Sequence, residues 1–477
     1  MSRKLQKFNR MRKIKKIFKD VRTYFIVVLA IPVIWLIYQI IRYRILPTRY
    51  IVIAVILLLI FAGLLVLSQY KAKKKSVRIA GKVLIVLLCA VLLIGNVYYM
   101  QTVSSIMGVS STEDTDVVSV VVLKNSSYEY IEDLKGKVFS TLATEDEHVD
   151  SVLNTIKATN GETPEVKRYP GILTWVNALY SGEVSCLVMN ESYRAIIEED
   201  YETFSDDTRV IYSKNYVTEI DNTTNTDLTK NTFSVYISGI DTYGTISTKS
   251  RSDVNMIVTV NPTTKQILLT SIPRDYYIPF NVLGGERDKL THSGLYGVDE
   301  TKGNVASYFG IDIDYYVRVN FTSLIEIVDA IGGIEVDNPT AFGQFEAGTI
   351  HLNGEQALAF SRERHAFAEG DRERGRNQMR VITGIINKVI SPSIITNYMS
   401  LLSSLHSTFQ TNLTDDQMIS LLRMQISDMS GWNIESISVD GTGASLYSPI
   451  YGSNLYMMVP NDSTVEAAKE RINALYQ

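Results

Sequence analysis

The chain has 477 residues, 45% of them hydrophobic, which is enough for more than one domain core and excludes an intrinsically disordered protein. Its 47 Lys+Arg nearly balance 51 Asp+Glu, yet residues 1–100 hold 19 of the basic residues and a single acid, Asp20. That stretch is therefore +18 and the remainder −22, a surface that would repel polyanions in general and argues against a nucleic-acid partner.

Three charge-free apolar runs, 24–41, 50–67 and 83–100, each approach the ~20 residues that span a hydrocarbon core. The first is long for a signal peptide, no small-x-small cleavage site follows it, and two more runs do. Ten basic residues precede it, and six lie in 71–82. The positive-inside rule then puts the N-terminus and second loop in the cytoplasm, and three crossings place 101–477 outside. The expected location is a multi-pass cell-membrane protein with an extracellular C-terminal part. Cys89 and Cys186 are the only cysteines, one in a span and one beyond it, so no disulfide forms within the exterior part. The five histidines show no paired ligand spacing for zinc.

Beyond the spans, a β-branched run at 117–123 is followed by helical patterns at 128–134, 148–158 and 175–181, then an apolar run at 186–189. This alternation predicts a small α/β domain, and no catalytic constellation stands out in 101–217. The polar stretch 218–230 reads as a linker. Strands are expected at 233–240, 255–260 and 266–272, the last two joined by the turn Asn261-Pro262-Thr263-Thr264. Further strands are expected at 315–319, 334–336 and 434–439, with helices at 324–330, 353–361, 380–390 and 415–424. Asn353 is the cap expected for the second of these helices. The fold class is thus mixed α/β: a basic tail (1–23), a three-helix membrane anchor (24–100), a small accessory α/β domain with its linker (101–230), and a mixed α/β domain with a central sheet flanked by helices (231–477).

Within this acidic exterior, Arg362, Arg364, Arg372, Arg374, Arg376 and Arg380 crowd into 19 positions with no lysine among them. Guanidinium is a planar multi-donor fork suited to phosphate, although an exposed helix face laced with Glu363, Glu369, Asp371 and Glu373 would read the same way. A second cluster comprises Asp241 at the end of one strand, Arg251 and Asp253 at the start of the next, and Arg274-Asp275 after the hairpin. If those strands pair antiparallel, the two aspartates share one end of the sheet. Two carboxylates with open coordination positions are what a Mg²⁺ ion shared with a phosphate requires, while each aspartate alone also suits an Asx turn.

The segments SRSDVNMIVTVNP (250–262), LLTSIPRDYYIP (268–279), IDYYVRVNF (313–321), DAIGGIEVDNP (329–339), LNGEQALAFSRER (352–364) and GDRERGRNQ (370–378) resemble the LytR-CpsA-Psr (LCP) proteins of Gram-positive cell envelopes. The triple-span anchor and the extra domain are similar to the capsule-linked branch of that family. The resemblance implies a phosphotransferase that takes a glycopolymer, such as capsular polysaccharide, from a polyprenyl-diphosphate carrier and joins it to peptidoglycan. Asp241 and Asp253 would hold Mg²⁺, and Arg274, Arg362, Arg364 and Arg374 would grip the diphosphate with Gln378. Many members read Arg-Gln where this chain has Asn377-Gln378, so either Arg376 supplies that charge or one phosphate contact is absent. An apolar tunnel for the polyprenyl tail is also implied; Ile325 and Ile386 are candidates for it, although ordinary core accounts for them equally well.

The catalytic set expected is Arg274, Asp253 and Asp371, the last to orient or deprotonate the acceptor hydroxyl as it attacks the sugar-side phosphorus. Expected partners are the lipid-linked polysaccharide, peptidoglycan, the cytoplasmic membrane and other capsule-assembly membrane proteins. Two other outcomes use the same residues: hydrolysis of the lipid diphosphate, and non-catalytic binding of polyprenyl phosphate in regulating capsule assembly. A transcriptional role is excluded, since no helix-turn-helix or finger motif is evident and topology accounts for the basic region.

Overall fold

A computed structural model describes residues 21–43, 47–106, 113–144, 147–219, 226–240, 242, 246, 249–368, 370–391 and 409–477. The chain divides into two compact units, Met1–Gly108 with Ile419–Met429, and Val109–Met418 with Ser430–Gln477.

In the first unit, α1 (Val21–Tyr43), α2 (Thr48–Lys71) and α3 (Lys75–Ile106) are each long and apolar enough to cross a membrane. Leu29, Val33, Leu65, Ile85, Cys89 and Leu92 form the seam where they pack. Outside the seam Ile34, Leu57, Val91 and Ile94 are exposed, an apolar exterior suited to hydrocarbon rather than water. Buried Asn96 donates to Leu92 O in its own helix at 2.7 Å and to Pro32 O in α1 at 3.1 Å, a polar tie of the kind that joins helices inside a bilayer.

The second unit begins with an α/β lobe. Its five-stranded sheet runs β3-β2-β4-β1-β5, with β1 (Glu113–Leu123), β2 (Val138–Leu142), β3 (Glu165–Tyr169), β4 (Cys186–Asn190) and β5 (Thr208–Glu219). β1 is antiparallel to both neighbours, whereas β2 is parallel to β3 and β4. The expected helix at 128–134 is reduced to a 3₁₀ turn, Ile131–Leu134. Helix α4 (Glu147–Asn160) buries Val149, Val152, Leu153 and Ile156, the i, i+3, i+4, i+7 stripe of an amphipathic helix. Helices α5 (Ile172–Tyr180) and α6 (Arg194–Asp200) join a hydrophobic cluster that continues into the rest of the unit, from Trp175, Ile196 and Ile197 to Tyr236, Leu290 and Tyr451.

The larger part is a six-stranded sheet ordered β10-β9-β6-β7-β8-β11, where β6 is Phe233–Ile240, β7 Ser252–Asn261, β8 Gln266–Ile272, β9 Tyr315–Val319, β10 Gln410–Thr411 and β11 Asn433–Ser438. The hairpin expected around Asn261 forms, with Asn261 Oδ1 accepting from Thr263 N at 3.0 Å and Thr264 N at 2.9 Å. Helices α7 (Val298–Phe309), α8 (Phe321–Ala330), α9 (Gly354–Arg362) and α10 (Asp371–Ile390) flank the sheet. Asn353 caps α9 through a reciprocal capping box with Gln356. The sheet is mixed, as β6 pairs antiparallel with β7 and parallel with β9.

Candidate active site

Strands β6 and β7 do pair antiparallel, and their register shifts where Gly239 faces Val254 but Ile240 faces Ser252. Asp253 is the extra residue of that bulge, a device that re-aims a side chain at the end of a strand. Gly239 permits it: a Cβ there would lie 2.6 Å from Val254 Cγ2. Beneath the bulge the polar atoms are satisfied locally, with Ser238 and Ser252 hydroxyls 2.8 Å apart and Ser252 Oγ donating to Asn255 Oδ1 at 2.9 Å.

Asp253 is then held from two directions. Arg274, two residues past β8, donates from Nη1 to Oδ1 at 2.9 Å, and Thr291 Oγ1 donates to the same oxygen at 2.9 Å. Thr291 lies in the 3₁₀ segment Leu290–Tyr296, and its backbone N–H donates to Arg274 O at 2.9 Å, so it fixes both partners. Gly294 lets this segment approach β7, since a Cβ would stand 2.3 Å from Ser250 O. Burial pushes the Asp253 carboxyl upward, but the charges of Arg274 and Arg251 and the hydrogen bonds from Arg274 and Thr291 outweigh it and leave it below the usual carboxylate range. Asp253 is therefore ionised at neutral pH. Burial lowers the Arg251 guanidinium and nearby Arg274 lowers it further, while Asp253 opposes both.

Arg251, Asp253 and Arg274 line a cavity of about 520 Å³ that is also lined by Arg362, Arg364, Arg374 and Gln378. Five arginines face three carboxylates there, Glu199, Asp253 and Glu363, so the cavity has a formal excess of positive charge. Arg362 leaves the end of α9 and stacks over the Phe321 ring, 4.2 Å from its centroid. Glu363 Oε1 accepts from the backbone N–H of His365 at 2.6 Å and of Ala366 at 2.9 Å, shaping the turn that carries Arg364. One wall is apolar, built from Ile240, Val254, Leu324 and Leu358. An apolar wall beside a cluster of guanidinium groups suits an amphiphilic anion.

The arginine run divides by location once it is folded. The helix expected from 380 begins at Asp371, so Arg372, Arg374 and Arg376 stand on its first turns. Arg374 faces the first cavity, and with Arg274 and Gln378 it also borders a second of about 350 Å³, which Arg372, Arg376, Asp275 and Asp440 line. Arg372 pairs with Asp440 at 2.8 Å. Arg376 pairs with Glu373, as does Arg380 at 2.6 Å. Arg376 thus lines the second cavity and not the one that holds Arg362 and Arg364. Asn377 itself is buried and accepts from Arg380 at 2.6 Å. Asp275 is met by Lys289 at 3.0 Å. Ile325 and Ile386 are half-buried, and neither lines the first cavity.

Asp241 lies outside the described residues, as does the side chain of Asp371. No group of three or more His, Cys, Asp or Glu side chains suited to a metal occurs among the described residues. Asp253 is compatible with a Mg²⁺ ion that takes most of its ligands from phosphate and water, as Arg274 Nη1 and Thr291 Oγ1 both donate to the same oxygen, Oδ1. Sequence reasoning missed Thr291 and Glu199. Thr291 carries no pattern of its own, and Glu199 belongs to the lobe from which no chemistry was expected.

The fold and the cavity define a protein with three apolar helices and an arginine-lined cavity at the bulged ends of two central strands of a mixed sheet. The profile of the LytR_cpsA_psr family matches residues 197–474, and the chain belongs to that family. A relative from Bacillus anthracis, named polyisoprenyl-teichoic acid--peptidoglycan teichoic acid transferase TagU, is 36% identical over 48% of this chain and 74% of its own. A protein of the same name from Enterococcus faecalis is 40% identical over 40% of this chain and 64% of its own. Among solved structures, that of B. subtilis TagV aligns with 52% of this chain and 98% of its own at 28% identity and a TM-score of 0.45.

Proposed function

We propose that this protein transfers a cell-envelope glycopolymer, capsular polysaccharide or a related polymer, from a polyprenyl-diphosphate carrier to a hydroxyl of peptidoglycan. The observation that carries this reading is the convergence of Arg251, Arg274, Arg362, Arg364 and Arg374 on one cavity with Asp253, beside an apolar wall. Membership of a family whose relatives bear transferase names supports it. The acceptor oxygen attacks the sugar-side phosphorus, a new P–O bond forms, the bridging P–O bond breaks, and polyprenyl monophosphate leaves with the electron pair. Such transfer is catalysed mainly by positioning and charge, which the guanidinium groups supply through bidentate contacts. Asp371, at the first position of α10, takes the hydroxyl proton in this scheme.

Asp253 and Asp241 would hold Mg²⁺, which when bound would neutralise charge on the diphosphate oxygens. The three apolar helices anchor the protein in the cytoplasmic membrane, and the basic residues that flank them orient the second unit outward. The deciding experiment supplies the purified full chain with lipid-linked polymer, an acceptor glycan and Mg²⁺. Transfer by the wild type that is lost in Asp253→Ala and Arg274→Ala supports the reading, and normal transfer by either variant overturns it. Polymer released without becoming attached to glycan would instead identify a hydrolase.

A further inference from the structure

Three cations of the larger domain take their carboxylate partners from the preceding lobe. Lys249 meets Asp116 at 2.7 Å, Arg318 meets Asp114 at 3.2 Å, and Arg251 meets Glu199. The first two pairs are deep: Asp116 and Arg318 are almost fully buried, and Asp116 also accepts from Asn190 at 2.9 Å. The third differs. Glu199 is 48% exposed, it lines the arginine cavity, and its partner Arg251 is directed at that cavity alongside Asp253 and Arg274.

Glu199 is not a dangling side chain, because α6 is anchored by Ile196 and Ile197, both buried in the shared core, and by the Arg194–Glu191 pair at 2.6 Å. The lobe therefore presents a carboxylate from an anchored helix to an arginine of the cavity. A half-exposed ion pair is weak, whereas a phosphate accepts charge-assisted bonds from guanidinium with two or three oxygens at once.

We propose that Glu199 is a competing anion that the accessory lobe places on Arg251, and that an entering diphosphate must displace it. The idea rests on the diphosphate reading given above. It makes the lobe sensitive to whether the site is filled, since loading the site breaks the Glu199–Arg251 contact while the buried Asp116–Lys249 and Asp114–Arg318 pairs persist. It also assigns a role to the lobe: setting the charge, and hence the affinity, of the neighbouring site.

The test titrates the full chain in detergent with geranylgeranyl diphosphate, following heat of binding for wild type, Glu199→Gln, Glu199→Asp and Glu198→Gln. Glu198→Gln removes the same charge one residue away, from a side chain that does not line the cavity. The expected result is that Glu199→Gln binds about tenfold more tightly at low salt, that added salt shrinks the gain, and that Glu199→Asp and Glu198→Gln match the wild type. Equal or weaker binding by Glu199→Gln at an unchanged melting temperature overturns the proposal, as does an equal gain from Glu198→Gln. If the wild type binds and only the Glu199 effect is missing, the diphosphate reading stands alone. If neither wild type nor Glu199→Gln binds, both fall.

Discussion

Arg274 Nη1 and Asp253 Oδ1 are 2.9 Å apart, an ion pair formed between the residue after Pro273 and the extra residue of a β-bulge. Only 13% of the Asp253 side chain is exposed, so this is a contact in low dielectric, and neither partner is readily replaced. Lysine cannot reproduce the planar fork of guanidinium. Arg274→Lys is expected to lower kcat/KM for transfer by about 100-fold, near the ~3 kcal/mol upper end for a hydrogen bond to a charged group. Steady-state kinetics with lipid-linked polymer check this; a loss under threefold would remove Arg274 from the site.

The arginines of α10 separate into those that face the first cavity and those that do not. Arg374→Ala should weaken binding of a polyprenyl diphosphate by at least about tenfold, the loss of one charge-assisted contact. Arg372→Ala should change it by less than threefold, because Arg372 is half-exposed, pairs with Asp440 and lines only the second cavity. Its stability cost should stay within about 1 kcal/mol, as for an exposed pair. Calorimetric titration of the two variants side by side measures the difference. Equal losses would mean that the run acts as an undifferentiated basic patch.

Much of this site is legible before folding. The strands expected at 233–240 and 255–260, the turn at Asn261 and the cap at Asn353 follow from local chemistry, whereas the antiparallel pairing that brings Asp253 beside Arg274 enters the sequence reading only as a condition. The bulge does not follow, because it is set by the contact of Gly239 with Val254 and by the Ser238, Ser252 and Asn255 network across two strands. The start of α10 is concealed by its charges: Glu373 bonds both Arg376 and Arg380, i,i+3 and i,i+7 ties that make a polar stretch helical without an apolar stripe. Glu199 reaches the cavity and Thr291 reaches Asp253 from other elements, and no spacing in the sequence encodes either approach.

A second buried carboxylate sets the response to acid. Asp288 is fully buried; burial raises its carboxyl, but His292 at 2.9 Å, the Lys289 N–H and Ser448 Oγ more than offset this and leave it below the usual range. A folded-state value depressed below the unfolded ~3.9 contributes stability that is complete above that unfolded value and disappears as pH falls through the folded one. Denaturant melts of wild type should lose stability progressively below about pH 4 for this reason. Asp288→Asn should be less stable at pH 7 and should show a shallower loss below pH 4. Because the 3₁₀ segment that holds His292 also carries Thr291, the same variant should weaken diphosphate binding. Parallel acid profiles for the two proteins would rule out Asp288 as the titrating group.

The docking of the two parts of the second unit depends on a place where backbone meets backbone. A Cβ at Gly171, just before α5, would lie 2.4 Å from Gly452 Cα and 2.7 Å from Tyr451 O, and Leu173 N donates to that same oxygen at 3.5 Å. Gly452 cannot give way by changing shape, since its φ of +80° already lies in the region that favours glycine. Gly171→Ala therefore forces the lobe away from the larger domain and opens the shared core around Ile172, Trp175 and Tyr451. The expected cost is about 1–3 kcal/mol, the range for overpacking a close-packed interior. Limited proteolysis should cut the variant between the lobe and the larger domain under conditions that leave wild type intact. The same displacement would carry Glu199 off Arg251, so a Gly171→Ala protein that still folds should bind geranylgeranyl diphosphate more tightly, as is expected of Glu199→Gln. A destabilised variant with unchanged affinity would separate lobe docking from control of the site.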